Sequence, residues 1–189
     1  MNYLEITGTL VGLLYLWLEY KASIYLWITG VIMPAIYIFV YYAAGLYADT
    51  GINIYYLLAA IYGWMMWKRR NGEKRELPIS RTPSRVLPLL LFVFIVIFIL
   101  IAWLLIKYTD STVPLADSCI TALSITGMWM LAKKYVEQWL VWMVVDAISC
   151  ALYIYKDLYF TSGLYGFYAV VAIFGYLKWK QMMNVVQTP

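Results

Sequence analysis

The chain has 189 residues, of which 65% are hydrophobic and only 13% charged, and its formal net charge is +4 at pH 7. Soluble domains are typically about half apolar and a quarter charged, so this composition excludes a soluble enzyme, a disordered regulator and a secreted disulfide scaffold. It is typical of a protein that crosses a membrane several times. The sequence contains no histidine, which excludes imidazole ligands for a metal and Ser-His-Asp catalysis.

Seven stretches are apolar and long enough for helices that cross a bilayer, which takes about 20 residues. In chain order they cover residues 4–20, 24–43, 52–67, 88–106, 116–132, 138–155 and 163–179. A polar, basic linker separates the third stretch from the fourth. The first stretch lacks the basic start and cleavage site of a signal peptide and is expected to be retained. The sequence therefore predicts an all-α integral membrane protein with seven transmembrane helices.

The distribution of lysine and arginine predicts the orientation. If the seven helices alternate in direction, one side holds Lys21, Lys68, Arg69, Arg70, Lys74, Arg75, Arg81, Arg85, Lys133, Lys134, Lys178 and Lys180. Only Lys107 and Lys156 fall on the other side. Basic loops stay in the cytoplasm, so we expect an inner-membrane protein with its N-terminus outside and its C-terminus inside. Contact with membrane lipids accounts for the basic loops, and no nucleic-acid partner is expected.

An internal repeat appears when the sequence is compared with itself at an offset of 112 residues. About 15 identities fall in about 64 aligned positions without a gap, a level that indicates duplication. The matches include Trp17 with Trp129, Lys21 with Lys133, Trp27 with Trp139, Gly51 with Gly163, Tyr56 with Tyr168, Gly63 with Gly175, and Trp67-Lys68 with Trp179-Lys180.

Each repeat contains three helices, and an odd number would invert the second repeat unless one more helix intervened. The sequence therefore predicts a 3+1+3 organisation with two parallel three-helix repeats. The first repeat is residues 1–68, and the second is residues 116–189. Residues 69–115 hold the basic cytoplasmic linker and an inversion helix at about 88–106. Parallel repeats are typical of transporters with a substrate site near the midplane, and the absence of a GxxxxGK[ST] segment leaves no P-loop for ATP hydrolysis.

Asp146 is the most informative polar residue, because it falls near the centre of the sixth predicted span. A carboxylate there costs roughly 2.5–3.5 kcal/mol on insertion scales and is usually functional, although a structural hydrogen bond is the alternative. A cationic ligand would offset that cost. The repeat counterpart of Asp146 is Pro34, a candidate hinge in the second span. Weaker candidates for substrate binding are Glu19, Asp117 and Ser124, which could equally be an interfacial ion, a helix-start acid and a backbone-bonded hydroxyl.

Aromatic residues supply the remaining candidates, and most are expected to form interfacial belts. Trp27, Trp67, Trp139 and Trp179 fall near predicted membrane borders and fit that interpretation. Trp129 and Trp142 are better placed to stack on a flat cationic ring. Asn53, Tyr56 and Tyr62-Gly63-Trp64, with Tyr165 and Tyr168, could complete an aromatic cage with hydrogen-bonding tips. No cofactor and no metal-ligand set are indicated.

Two segments carry a specific pattern of aromatic and polar residues, NIYYLLAAIYGWMMWKRR (53–70) and DSCITALSITGMWMLAKKYVEQWLVWMVVDAISCALYIYKDLYFTSGLY (117–165). The first resembles the third-helix signature of the PnuC family of vitamin transporters, and the second is similar to that family's second repeat. The resemblance covers nearly the whole chain. It implies a SWEET-like 3+1+3 fold and a homo-oligomer, a trimer in the family. It also implies facilitated diffusion of an unphosphorylated vitamin that a cytoplasmic kinase then traps.

The resemblance leaves two cationic vitamins as substrates, thiamine and nicotinamide riboside. In the nicotinamide riboside pattern a glutamine precedes the helix-five Trp and a polar amide precedes the helix-three I-Y-G-W, whereas Met128 and Ala60 occupy those positions here. Amide side chains in the predicted spans are limited to Asn53 and Gln138, both near helix ends. The sequence thus favours thiamine, with nicotinamide riboside as the alternative. A neutral-sugar carrier would leave Asp146 without a charge to pair, and a lipid-modifying enzyme would lack an identifiable base.

Overall fold

The computed structural model describes residues 3–43, 47–68 and 77–187. These residues form seven helices: α1 (Tyr3–Tyr20), α2 (Leu26–Ala43), α3 (Tyr47–Lys68), α4 (Leu87–Tyr108), α5 (Pro114–Ala132), α6 (Gln138–Tyr155) and α7 (Tyr159–Gln187). The prediction of an all-helical chain with seven helices is confirmed. The largest difference is at α7, which continues past the predicted end at residue 179, because Lys and Gln end an apolar run without breaking a helix. Arg69, Arg70, Lys74 and Arg75 lie outside the described residues.

Helices α4 to α7 are each long and apolar enough to cross a bilayer. In the described part of α1 and α2, the apolar stretches are shorter, at Leu10–Tyr20 and Leu26–Val40. Helix α4 is apolar on all sides, and Ala102 is its one buried residue. Such a helix suits a lipid environment, since in water it would have to be covered.

The chain divides into two compact units, residues 1–77 and 78–189. In the first unit, α2 packs against both α1 and α3. In the second unit, α5 packs against α4 and α6, and α6 packs against α7. Sequential packing of this kind is expected when short connections join antiparallel neighbours.

The same turn joins the first two helices of each repeat. Ala22 and Lys134 adopt left-handed backbone conformations, with φ of 51° and 52°. The following amides reach back five residues, from Ser23 N to Leu18 O (2.9 Å) and from Tyr135 N to Met130 O (3.1 Å). This is the Schellman pattern that ends a helix, here with non-glycine residues at the left-handed position. The two turns are separated by the same 112-residue offset as the identities in the sequence.

In each unit a pair of tryptophans packs beside a glycine, between α2 and α3 in the first unit and between α6 and α7 in the second. The rings of Trp27 and Trp67 meet edge to face at 5.5 Å, and a Cβ on Gly63 would overlap the Trp27 ring. In the second unit, Trp139, Trp179 and Gly175 make the equivalent contacts.

All four tryptophans are at most 1% exposed. The expectation that Trp27, Trp67, Trp139 and Trp179 belong to an interfacial belt is therefore wrong. Glycine removes the side chain that would otherwise hold the indole away from the neighbouring helix, so the rings are buried in helix packing.

The described part of the linker before α4 is attached to the turn between α5 and α6. Ser80 pairs with the backbone of this turn through Ser80 N to Lys134 O (3.0 Å) and Val136 N to Ser80 O (2.9 Å). The Thr82 amide and hydroxyl both donate to Glu137 Oε2, at 2.8 and 2.9 Å. We call residues 80–82 the clip, because they hold the start of α4 to the start of α6.

Candidate functional site

Asp146 lies in the middle of α6 and is 7% exposed. Its carboxylate accepts no hydrogen bond and forms no ion pair within the described residues. It is close enough to Tyr165 and Tyr168 of α7 to interact with both electrostatically. A buried carboxylate is normally paired, because desolvation penalises an isolated charge. Asp146 is thus a candidate partner for a cation that the described residues do not provide.

Gln138 and Trp142 lie on the same face of α6 as Asp146, at intervals of four residues. The Gln138 side chain is completely buried, and neither its Oε1 nor its Nε2 has a hydrogen-bond partner in the described residues. The Trp142 Nε1 is also buried and unpartnered there. We call Gln138, Trp142 and Asp146 the α6 stripe. It presents an amide, an indole N–H and a carboxylate on successive turns of one helix.

Aromatic side chains of α7 face the Asp146 end of the stripe. Tyr165 stacks on Tyr153 with ring centroids 5.2 Å apart, and its ring meets that of Tyr168 at 5.9 Å. The spacing of three residues between Tyr165 and Tyr168 places them on one side of the helix. Together they give the carboxylate a wall of rings with hydroxyl tips, which suits a flat polar cation.

A second cluster lies in the first unit. Glu19 of α1 is 3% exposed and interacts electrostatically with Tyr15 one turn earlier. Tyr15 in turn is close to Tyr56 of α3, whose ring lies 5.6 Å from that of Tyr55. The structure thus brings the predicted Glu19 and Tyr56 both close to Tyr15. Asn53 lies one turn before Tyr56 on the same helix.

The two repeats exchange large and small residues at equivalent positions. In the first unit Tyr15 of α1 lies 3.5 Å from the Cβ position of Gly30 on α2. In the second unit Trp142 of α6 lies 3.4 Å from the Cβ position of Gly127 on α5. Gly127 is the counterpart of Tyr15, and Trp142 is the counterpart of Gly30. In each unit one aromatic ring thus fills the space between two neighbouring helices. The ring comes from α1 in the first unit and from α6 in the second.

The remaining predicted residues have other surroundings. Asp117 pairs with Lys156 at 3.7 Å and accepts a hydrogen bond from the Ser111 hydroxyl at 2.9 Å. Trp129 lies under Lys133 and against Tyr135, and Trp64 is 42% exposed with Lys68 over its ring. Ser124 is buried in α5, while its neighbours Thr121 and Thr126 donate to backbone carbonyls. Pro34 lies inside a continuous α2.

Tyr15, Tyr55, Gln138 and Tyr153 belong to these clusters but are absent from the candidates selected on sequence. For Tyr15 and Gln138, the signal that could identify them is the four-residue spacing of Tyr15 with Glu19 and of Gln138 with Trp142 and Asp146. Within the described ranges, no three Cys, Asp or Glu side chains come together as metal ligands.

The chain is similar to known proteins in both sequence and structure. The sequence profile described as nicotinamide mononucleotide transporter matches residues 2–181. A relative from Escherichia coli K12, described as nicotinamide riboside transporter PnuC, is 25% identical over 95% of this chain and 85% of its own. A protein of the same description from Neisseria mucosa is 21% identical over 73% of this chain and 57% of its own.

A solved structure described as the vitamin B3 transporter PnuC has the same fold. It matches with a TM-score of 0.70 and 22% identity, covering 94% of this chain and 80% of that one. The resemblance seen in the sequence motifs is confirmed by the profile, which spans almost the entire chain. The protein is therefore a member of the nicotinamide mononucleotide transporter (PnuC) family of membrane transporters.

Proposed function

We propose that the protein carries nicotinamide riboside into the cell by facilitated diffusion, and that a cytoplasmic kinase traps the vitamin by phosphorylation. The observation that carries this proposal is the carboxylate of Asp146, which is buried beside Tyr165, Tyr168 and Trp142 and has no partner among the residues that the structure describes. A pyridinium ring supplies a positive charge to pair with the Asp146 carboxylate, and its flat face suits the aromatic side chains around it. Chemistry on the bound vitamin is not required, since movement down a gradient is enough.

The proposed substrate, nicotinamide riboside, differs from thiamine, which the sequence alone favours. That preference rests on Met128 and Ala60, which replace amides of the nicotinamide riboside pattern. Two relatives that match much of the chain are described as nicotinamide riboside transporters, which supports the riboside. Both vitamins are cationic and aromatic, so the proposed role of Asp146 is the same for either.

Thiamine remains the second candidate, for a specific reason. Met128 and Ala60 are both buried in the structure, at 8% and 0% exposure, and neither can hydrogen-bond a carboxamide through its side chain. A thiazolium ring needs no such partner. Within the first unit, Glu19, Asn53 and Tyr56 offer a carboxylate, an amide and a hydroxyl, groups that can hydrogen-bond an aminopyrimidine or a sugar hydroxyl.

We further propose the SWEET-like 3+1+3 organisation, with α1–α3 and α5–α7 as repeats and α4 as the inversion helix. The matching turns at Ala22 and Lys134 support it, as do the matching tryptophan pairs. The basic loops support an inner-membrane location with the N-terminus outside and the C-terminus inside. A homotrimer is proposed by family resemblance, and the mass of the purified protein–detergent particle tests it.

Titration of the purified protein with nicotinamide riboside and thiamine, side by side, tests the substrate. Nine tryptophans make intrinsic fluorescence a suitable signal. We expect saturable quenching by nicotinamide riboside and weak or no quenching by thiamine. Saturable binding of thiamine alone would replace the riboside with the second candidate. Displacement by glucose or sucrose, and by neither vitamin, would contradict a cationic substrate altogether.

A further inference from the structure

Gln138 carries a buried primary amide that the described residues leave unsatisfied. Its side chain is fully enclosed at the start of α6, and both Oε1 and Nε2 lack a hydrogen-bond partner there. A primary amide offers two donors and one acceptor oxygen. Buried polar groups without partners are rare in folded proteins, and each one calls for a physical reason.

The internal repeat indicates that packing alone does not require an amide at this position. The counterpart of Gln138 is Leu26, which is also completely buried. The position therefore accepts a branched apolar side chain of similar size within the same fold. An apolar residue here would avoid the cost of burying an unpaired amide, yet the second repeat has glutamine.

The rest of the stripe suggests what the amide is for. Trp142 follows Gln138 by four residues and Asp146 by eight, so the amide and the carboxylate are separated by about 12 Å along the helix, with the indole between them. A cationic ring stacked on Trp142 can extend toward Asp146 on one side and toward Gln138 on the other. Leu26, Gly30 and Pro34 occupy the equivalent positions of α2, so this polar sequence exists in one repeat alone.

We infer that Gln138 is the specificity-determining residue that recognises the carboxamide of the substrate; this inference depends on the proposed transport of nicotinamide riboside. The Gln138 Nε2 donates to the carboxamide oxygen, and Oε1 accepts from the carboxamide NH2. Two primary amides pair in this way with matched donors and acceptors. Gln138 would thus supply the amide that Met128 and Ala60 do not.

The test compares two cations that differ in the carboxamide alone, nicotinamide riboside and N-ribosylpyridinium. Their dissociation constants are measured by tryptophan quenching for the unmodified protein, Gln138→Leu and Gln138→Met. Leucine is the residue that the first repeat already has at this position. Methionine keeps the unbranched shape of glutamine, so it provides a folded variant if leucine does not pack.

We expect the unmodified protein to prefer nicotinamide riboside by about tenfold or more, the effect of two hydrogen bonds in a buried site. In both variants this preference should disappear, because the affinity for nicotinamide riboside falls to that for N-ribosylpyridinium. The affinity for N-ribosylpyridinium should stay within about twofold of its original value, since that ligand makes no use of the amide.

Two results overturn the inference and leave the proposed function intact. One is an unchanged preference for nicotinamide riboside in the variants, which would place carboxamide recognition elsewhere. The other is an equal loss of affinity for both ligands, which would make Gln138 a structural residue. If the unmodified protein binds neither riboside, the proposed function itself fails, and the role of Gln138 fails with it.

Discussion

The indole rings of Trp139 and Trp179 meet edge to face in the second unit, with centroids 5.8 Å apart and ring planes at 87°. Both rings are buried, and the space for Trp139 is provided by Gly175, one helical turn before Trp179. The first unit has the same arrangement of Trp27, Trp67 and a glycine. Edge-to-face pairs of this kind add about 0.5–1.5 kcal/mol to the burial of the rings. The repeated pair thus ties the start of α2 to Trp67 at the end of α3, and the start of α6 to Trp179, about two turns before the end of α7.

Gly175→Ala should destabilise the protein, because the new Cβ would lie 2.7 Å from ring atoms of Trp139. The ring is enclosed and cannot move aside without disturbing Trp179. Overpacking of this kind costs about 1–3 kcal/mol, and we expect a lower midpoint of thermal unfolding in detergent.

Gly163→Ala is the matched control for this substitution, since it lies on the same helix with nothing within 4 Å of its Cβ position. There alanine should be neutral or stabilising by up to about 1 kcal/mol, because it has the higher helix propensity. Equal unfolding midpoints for the two variants would show that the Trp139 ring does not depend on the glycine.

Asp146→Asn should weaken binding of the cationic substrate by about tenfold or more while leaving the fold intact. The substitution keeps the size of the side chain and removes the charge that pairs with the ring, and charge-assisted interactions are worth about 1.5–3 kcal/mol. Thermal stability should stay equal or rise, because the carboxylate has no partner to lose within the described residues. Fluorescence titration and a melting curve on the same preparation give both quantities.

Asp117 differs from Asp146 because it has a partner within the chain. Its 3.7 Å ion pair with Lys156 is about one-third exposed, so it is worth about 1 kcal/mol or less.

An Asp146→Asn protein that unfolds at a lower temperature but binds the riboside normally would show that Asp146 has a structural role and does not bind substrate.

Helix positions could be predicted well from the sequence, because a bilayer demands long apolar segments and the chain offers few alternatives. The bounds of α6 agree at both ends, and those of α4 differ by one or two residues. The environment of the tryptophans could not be predicted by the same rule. An indole is stable both at a membrane border and inside a packed core, and hydropathy does not separate the two. The glycine one turn before Trp67 and before Trp179 is the local feature that indicates burial.

The candidate site was predicted in part. Asp146, Trp142 and Tyr168 stand out because charged and aromatic residues are informative in an apolar span. Tyr15 does not stand out, because comparing the sequence with itself counts identical residues, and Tyr15 aligns with Gly127. Both units have an aromatic ring against a glycine at this point, but the ring and the glycine have changed helices. This relationship can be recognised only when both residues of each contact are known.

Thr82→Val should lower the free energy of unfolding by about 1–2 kcal/mol, because it removes the hydroxyl that donates to Glu137 Oε2 and leaves that acceptor with one fewer bond. Thr82→Ser, which keeps the hydroxyl, should stay close to the unmodified protein. The clip joins segments 55 residues apart, so the loss should also increase hydrogen exchange at the turn between α5 and α6. Unchanged exchange at Lys134 and Val136 would show that the backbone pairing of Ser80 holds the turn without Thr82.

Trp142→Phe should reduce both the affinity for the riboside and the amplitude of tryptophan quenching. Phenylalanine keeps a ring against Gly127 but gives a weaker face for a cation, so we expect a loss of about threefold to tenfold in affinity. Trp103→Phe is the matched control, because Trp103 lies half-exposed on α4, a helix that packs against α5 and makes no contact with α6 in the described part of the chain. Its removal should lower the total fluorescence and leave the dissociation constant unchanged. If Trp103→Phe abolished the quenching and Trp142→Phe did not, the riboside would stack on a different surface from the one that Asp146 and Trp142 share.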